Sequence, residues 1–460
     1  MSRMNPDRKT VSAPHHPRRI VGLALTALAT LTLFNAAHAA DAAPPSAESQ
    51  QALNAYVANP GQGKLRHLPS EACAGCHQQI YQQWRGSMHA NSTAFKDPIH
   101  DAMYRKVMGD PAQENLRKKG KYPMCLKCHA PTAARDKKTN LLANPAYNEG
   151  VSCVTCHSAK RFIGVHTKEG KLNLGVNAYE YGETLQGPSG RHLGPQMLDD
   201  QGRPNALTMP PDLRPKQDAA QAMVRDQAPQ GGFHPIALEG NPALLRTANA
   251  CLGCHEQRNN GNGVPLCNTG AEFRQTDTAT CQQCHMPVNN GFADHSMAGG
   301  HVKSMLERAV IVTVQAAAAD KGTKATVSLQ NTLPHNAPTG APFRNMYVKV
   351  SALDASGKVV WSNYQKHPIK EDPKSMFMLK LLGDDGKPAG PSVAKKLGPD
   401  TRLKPLETRV IEYDIPVAGV KRVQAELHYD LLLPPQKASL KTVPAALKQP
   451  QIIAYGEARL

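Results

Sequence analysis

The chain is short of aromatic side chains, of long apolar runs and of acidic residues. Trp, Phe and Tyr make up 5% of its 460 residues, and the mean hydropathy is −0.46. A chain of this length has room for two domains or three small ones, yet its own large side chains are too few to fill them in the ordinary way. Gly and Pro number 35 and 37, which implies long stretches of turn and loop. The one long apolar run, Ile20 to Phe34, is shorter than the roughly 20 residues that cross a bilayer. Acidic residues number 37 against 54 Lys and Arg, for a formal charge of +17. Such a balance would suit nucleic acid, but no RNA-binding or DNA-binding motif accompanies it. Residues 1–39 alone hold five basic residues against Asp7, so +13 remains without them.

Cysteine, too, is nearly absent outside five strings. These are CAGCH at Cys73 to His77, CLKCH at Cys125 to His129, CVTCH at Cys153 to His157, CLGCH at Cys251 to His255 and CQQCH at Cys281 to His285. Each has the form of a c-type haem attachment site. Two thiols three positions apart on a helical turn can each add to one vinyl group of the same porphyrin, and the adjacent His then reaches the iron. The pairs Cys73 and Cys76, Cys125 and Cys128, Cys153 and Cys156, Cys251 and Cys254, and Cys281 and Cys284 would bind five haems. His77, His129, His157, His255 and His285 would be the proximal ligands. Disulfides, a thioredoxin-like CxxC or zinc knuckles could explain single pairs, but none requires a His after all five. Haems also explain the lean core and the positive charge: they are large apolar plates, and each brings two propionates for Lys and Arg to neutralise.

The N-terminus predicts a secretory signal over 1–39. Arg18 and Arg19 precede the apolar run, and Ala37-His38-Ala39 is an A-x-A-like cleavage site; a retained anchor is the alternative. Export to the periplasm, the outer surface or beyond follows, because haem attachment depends on the maturation machinery of an oxidising compartment. Residues 40–66, rich in Ala, Pro, Gln and Asn, read as a flexible lead-in. The haem-bearing region is expected over 67–303, as short helices and long loops around the haems. Its motif starts lie 52, 28, 98 and 30 residues apart, which favours closeness of the second site to the third and of the fourth to the fifth. Over 304–460 the pattern changes: 309–314, 325–329, 346–353, 359–362, 409–415 and 423–433 alternate or run apolar with β-branched residues. Asp354-Ala355-Ser356-Gly357 is a turn between two of them. An antiparallel β-sandwich is the expected architecture.

If every iron carries His on both faces, five further His are needed. The haem-bearing region offers His67, His89, His100, His166, His192, His234, His295 and His301, and His335 could reach in from the sheets. His89 follows the first motif beside Trp84; His295 and His301 lie in DHSMAGGH, whose glycines permit close backbone approach to a ring. His166, His192, His234 and His335 complete the candidates. Met88, Met286 and Met297 could supply sulfur instead, which would raise a potential, but His is abundant beside them.

SEACAGCHQQIYQQWRGSMHA, EGVSCVTCH, ACLGCH and CQQCHMP followed by DHSMAGGH together resemble the cytochrome c554 type of multihaem cytochrome, over about residues 68–303. The resemblance implies a periplasmic or cell-surface electron carrier with mostly bis-His haems in stacked pairs, and it matches His89 and His295 to distal ligands. LPHNAPTG followed by Arg344 resembles a segment of β-domains appended to such cytochromes. The chain departs from the tetrahaem carrier that names the family in having a fifth site and a C-terminal sheet region, so partner and pathway do not carry over. Three functions remain open: electron transfer between redox partner proteins, an enzyme of the nitrite or hydroxylamine class with one open iron, and a subunit of an extracellular cytochrome filament or other oligomer. Nitrite reductases often mark the open iron with Lys in place of the motif His, whereas all five motifs here end in His.

Cys267 is the one cysteine outside the motifs, without a partner at the three-residue spacing, and is expected to be a small buried side chain or an intermolecular disulfide. A Cys267→Ser protein should therefore retain five haem masses in its intact mass spectrum. Loss of any haem would overturn this.

Overall fold

The computed structural model describes residues 45–59, 63–189, 234–276, 278–289 and 291–460. The segment read as a secretory signal lies outside them. No helix among the described residues is long and apolar enough to cross a membrane.

The haem-bearing region has three helices of useful length: α1 (Ala47–Ala58), α2 (Gln78–Gly86) and α3 (Pro98–Val107). All of α1 lies in the stretch 40–66 expected to be a flexible lead-in. Ser46 caps it by accepting from the Ser49 amide, and Tyr56 is buried in a cluster with Leu65, Leu68, Ala72, Val154, Leu185 and Ile236. Leu53 and Tyr56, three positions apart, share a helix face, and that apolar stripe is what an Ala- and Gln-rich segment needs in order to dock. In α3, Asp97 accepts from the Ile99 amide and Pro98 opens the first turn, a start signal of the expected kind.

From Val310 onward the chain is antiparallel sheet. β1 (Val310–Ala319), β2 (Gly322–Asn331), β3 (Asn345–Leu353) and β4 (Val359–Ser362) are followed by β5 (Met376–Phe377), β6 (Leu379–Leu382) and β7 (Lys396–Asp400). β8 (Thr408–Ile415), β9 (Arg422–Asp430) and β10 (Gln451–Arg459) complete it. One sheet has the order β8-β2-β1; a second has β4-β3-β9-β10, with β5 pairing the start of β3; β6 and β7 form a hairpin of their own. Along β9 burial alternates, with Val423, Ala425, Leu427 and Tyr429 inside, as a half-buried strand requires. Asp354 Oδ1 accepts from the Ser356 and Lys358 amides at 2.8 and 3.1 Å, and Gly357 has φ +82°, closing the turn between β3 and β4.

The two larger sheets contribute to one apolar cluster, with Val327, Leu329 and Ile415 from the first and Val348, Val350 and Leu427 from the second. Ile99 of α3 and Leu306 belong to the same cluster, so the haem-bearing region and the sheets share a core. A second tie is polar. Arg402 Nη1 donates to Glu272 Oε1 at 2.8 Å, its Nη2 and Nε donate to Asp400, and both Arg402 and Glu272 are buried. Thr339 Oγ1 donates to the other Glu272 oxygen at 2.6 Å.

Removing one partner of a buried, hydrogen-bonded ion pair leaves an uncompensated charge and costs about 3–5 kcal/mol. Arg402→Leu should shift the denaturant midpoint by a loss of that size. Arg402→Met combined with Glu272→Leu should recover most of it, since an apolar pair of similar volume replaces the ions. A loss below ~1 kcal/mol in the single variant, the range of an exposed pair, would contradict the packing described.

Candidate functional site

Each motif is placed at a helical turn. Leu126–His129, Cys153–His157, Asn249–His255 and Cys281–His285 are helical, and the first motif begins in a tight 3-10 turn, Ser70–Gly75, with Cys76 and His77 joining it to α2. Residues three apart in a helix lie on one face, which brings the two thiols of each motif to the same side. The ten thiols and the five motif His line a single cavity of about 3830 Å³. An ordinary small-molecule pocket holds roughly 300–1,000 Å³, so the cavity has room for several large groups side by side.

The motifs also touch one another. Cys73 lies beside Cys153, Cys128 beside Cys254, and Cys251 beside Cys281, near enough for each thiol to perturb its neighbour. The first site thus adjoins the third, the second the fourth, and the fourth the fifth. Sequence spacing anticipated the last pair only. Through-space ties set the others: Ser70 binds Glu149 through its amide and hydroxyl, the Cys153 amide donates to Ser70 Oγ at 3.2 Å, and Trp84 Nε1 donates to Val151 O at 2.8 Å.

The imidazoles come together in pairs. His77 faces His234 with ring centres 6.2 Å apart, His157 faces His295 at 6.4 Å, and His89 faces His255 at 6.1 Å. A metal–nitrogen bond of about 2 Å on each side puts two ligand ring centres roughly 6 Å apart, so these gaps fit an iron between the rings. His335 also lines the cavity; burial, and to a lesser degree the neighbouring His285, pushes its imidazole down. The second nitrogen of most rings is already used. His234 Nδ1 donates to Ile236 O at 2.7 Å, His157 Nδ1 to Gln186 O at 2.7 Å, His295 Nδ1 to Ala293 O at 2.7 Å, His285 Nδ1 to Ala298 O at 2.6 Å and His335 Nδ1 to Asn336 O at 3.0 Å. Such a bond fixes the ring and leaves Nε2 as the metal-binding lone pair. His89 differs: its Nδ1 is 2.6 Å from Met297 Sδ. Burial, then the neighbouring His255 and His285, pushes the His89 imidazole down to about 4, which keeps it neutral.

The second motif is the exception. The ring facing His129 is His100, with centres 4.0 Å apart, and the Nδ1 atoms of both rings sit on the same carbonyl, Ser92 O, at 3.0 and 2.8 Å. His100 Nε2 is buried without a hydrogen-bond partner. Sequence reasoning included His100 in the pool of spare His but attached no role to it; the capped start of α3 was the signal, because it aims the first helical turn inward.

Other candidates lie elsewhere. His166 is exposed and away from the cavity, His192 lies outside the described residues, and His67 is held by Asp136 at 2.5 Å. His301 lines the cavity, and burial followed by the Arg344 charge pushes it down to about 4. Arg344 also faces the cavity, with Nη1 donating to Tyr429 OH at 2.7 Å. A Cβ at Gly300 would collide with that guanidinium and with the Tyr429 hydroxyl. The glycine of DHSMAGGH therefore admits an arginine, where the sequence had suggested a ring. A half-buried cation facing a cavity favours an anion beside it, and a haem carboxylate there would supply one. Cys267 pairs with Arg258 across a short two-stranded ladder, and burial pushes its thiol up, as for an inert side chain.

The family model for cytochrome c554 and c-prime matches residues 72–158. No curated protein matches the chain. Among solved structures, the chain is similar to a penta-heme cytochrome c552 from Thermochromatium tepidum, at 44% identity and a TM-score of 0.76, over 86% of this chain and 100% of that one. Together with five complete attachment motifs on one cavity, that likeness places the chain among the multihaem c-type cytochromes, with five covalently bound c-type haems.

Proposed function

We propose that the chain relays electrons between redox proteins in the periplasm or at the cell surface, through irons held mainly between two His. The observation that carries this reading is the set of opposed imidazole pairs, His77 with His234, His157 with His295 and His89 with His255, each about 6 Å between ring centres. Bound haem supplies a one-electron ferric–ferrous couple. The chain's residues hold and tune it: the thiols fix each porphyrin, paired imidazoles close both faces of an iron to substrate, and imidazole on both sides tends to keep the potential below that of a His/Met site. His335 is assigned to His285 on proximity. His301 and His166 are then spare.

We read 67–303 as the haem-bearing part, and 304–460 as a β-sandwich formed by the two larger sheets over their common core. The apolar cluster drawn from both sheets supports the sandwich. The N-terminal pattern of 1–39 supports export.

One observation favours a second reading, an oxidoreductase with a single open iron. His100 lies beside His129 at 4.0 Å, too close to sandwich a metal, and both rings use Nδ1 on Ser92 O. On that geometry the His129 iron would keep a free face, with the unpartnered His100 Nε2 near it as a proton donor or acceptor.

Replacing His89 or His295 with Ala should open one iron each. The expected result is a new high-spin signal and binding of one carbon monoxide per chain beyond the parent. If neither variant gains carbon monoxide binding while all five haems remain attached, the assignment of these two ligands is wrong.

A further inference from the structure

The relay needs a place where electrons cross to a partner, and one feature outside the ligand sets marks it. Lys118, Lys119 and Lys121 are exposed and line the mouth of the cavity beside Cys125, together with Lys106 at the end of α3. The three lysines sit on a pinned tip. Lys118 N donates to Lys121 O at 3.0 Å and Lys121 N to Lys118 O at 3.1 Å, while Lys119 and Gly120 have φ of +50° and +71°. That is the left-handed pair of a tight hairpin turn.

The carboxylates nearby are already engaged. Arg105 takes Asp101 and Asp110, Arg66 and His67 take Asp136, and Glu114 accepts from the amides of Asn115, Thr139 and Asn140. No described carboxylate pairs with the four lysines. Between them lies apolar surface: Val107 is 36% and Met124 39% exposed. If the lysines served only haem carboxylates, nothing would require an exposed apolar spot in their midst. An apolar centre with a charged rim is the anatomy of a docking surface, where the charge steers encounter and the centre is desolvated.

We propose that this rim docks an acidic redox protein and that the haem of the CLKCH motif is where electrons pass between the chain and that partner. The inference rests on the electron-transfer reading above. In the exchange, one electron moves from the partner's reduced centre to a ferric haem, giving ferrous haem and an oxidised partner, with no bond made or broken.

The test uses the full holoprotein, with a reduced acidic plant-type [2Fe–2S] ferredoxin as probe, in stopped flow at about 10 mM salt, where charges act over ~30 Å. Lys118→Glu with Lys121→Glu should slow the second-order reduction about tenfold, the low end of electrostatic steering, and the difference should vanish at high salt. Lys118→Gln with Lys121→Gln should give a smaller slowing. A control of equal net charge away from the cavity, Lys366→Glu with Lys370→Glu, should change the rate less than about twofold on the same principle. Equal slowing in rim and control variants, or none in either, overturns the rim. Neutral photoreduced lumiflavin separates the two readings: if it too fails to reduce the unmodified protein, the relay itself is wrong and the docking surface falls with it.

Discussion

The fold depends on holding two imidazoles opposite each other at a fixed gap, several times over, inside one cavity. The motif His is placed by its own helical turn, but its counterpart is not. His234 is brought to His77, His295 to His157 and His89 to His255 from more than a hundred positions away in sequence. Each pair therefore closes a long loop, and on the proposed two-sided ligation the loop-closure entropy would be offset by metal bonds that the unfolded chain lacks. The many Gly and Pro residues become intelligible in this light, since loops of irregular path can deliver a ring to a cavity wall where a long helix could not.

The C-terminal sheets take part in the same constraint. His335 and Arg344 reach the cavity from the segment between β2 and β3, and Arg344 anchors on Tyr429 of β9. Gly300 is needed because that arginine passes so close to the backbone. The buried Glu272–Arg402 pair and the shared cluster around Ile99 and Leu306 fix the sheets to the haem-bearing region. The sheet region thus brings an imidazole and a guanidinium to the cavity wall.

How much of this could be read from residues alone varied with the range of the interaction. The attachment motifs are local chemistry at fixed spacing, and six strands were visible in their alternation to within a few residues. β10 and the β6–β7 hairpin were not, since Gln451–Arg459 interleaves exposed Ile452 and Tyr455 with buried Ile453 and blurs the period of two. The helix at Ala47–Ala58 was hidden by composition: its apolar stripe is only Leu53 and Tyr56. Which spare His meets which iron, and which motifs adjoin, are properties of the closed fold. Spacing favoured the second and third sites as neighbours, whereas the Ser70–Glu149 tie couples the first to the third.

The account turns on two-sided ligation, and electron paramagnetic resonance of the fully ferric protein reads it directly. The account predicts low-spin signals integrating to at least four of the five irons, with any high-spin component confined to one iron, that of His129, where the facing ring stands 4.0 Å away. High-spin signals from two or more irons in the unmodified protein would contradict it.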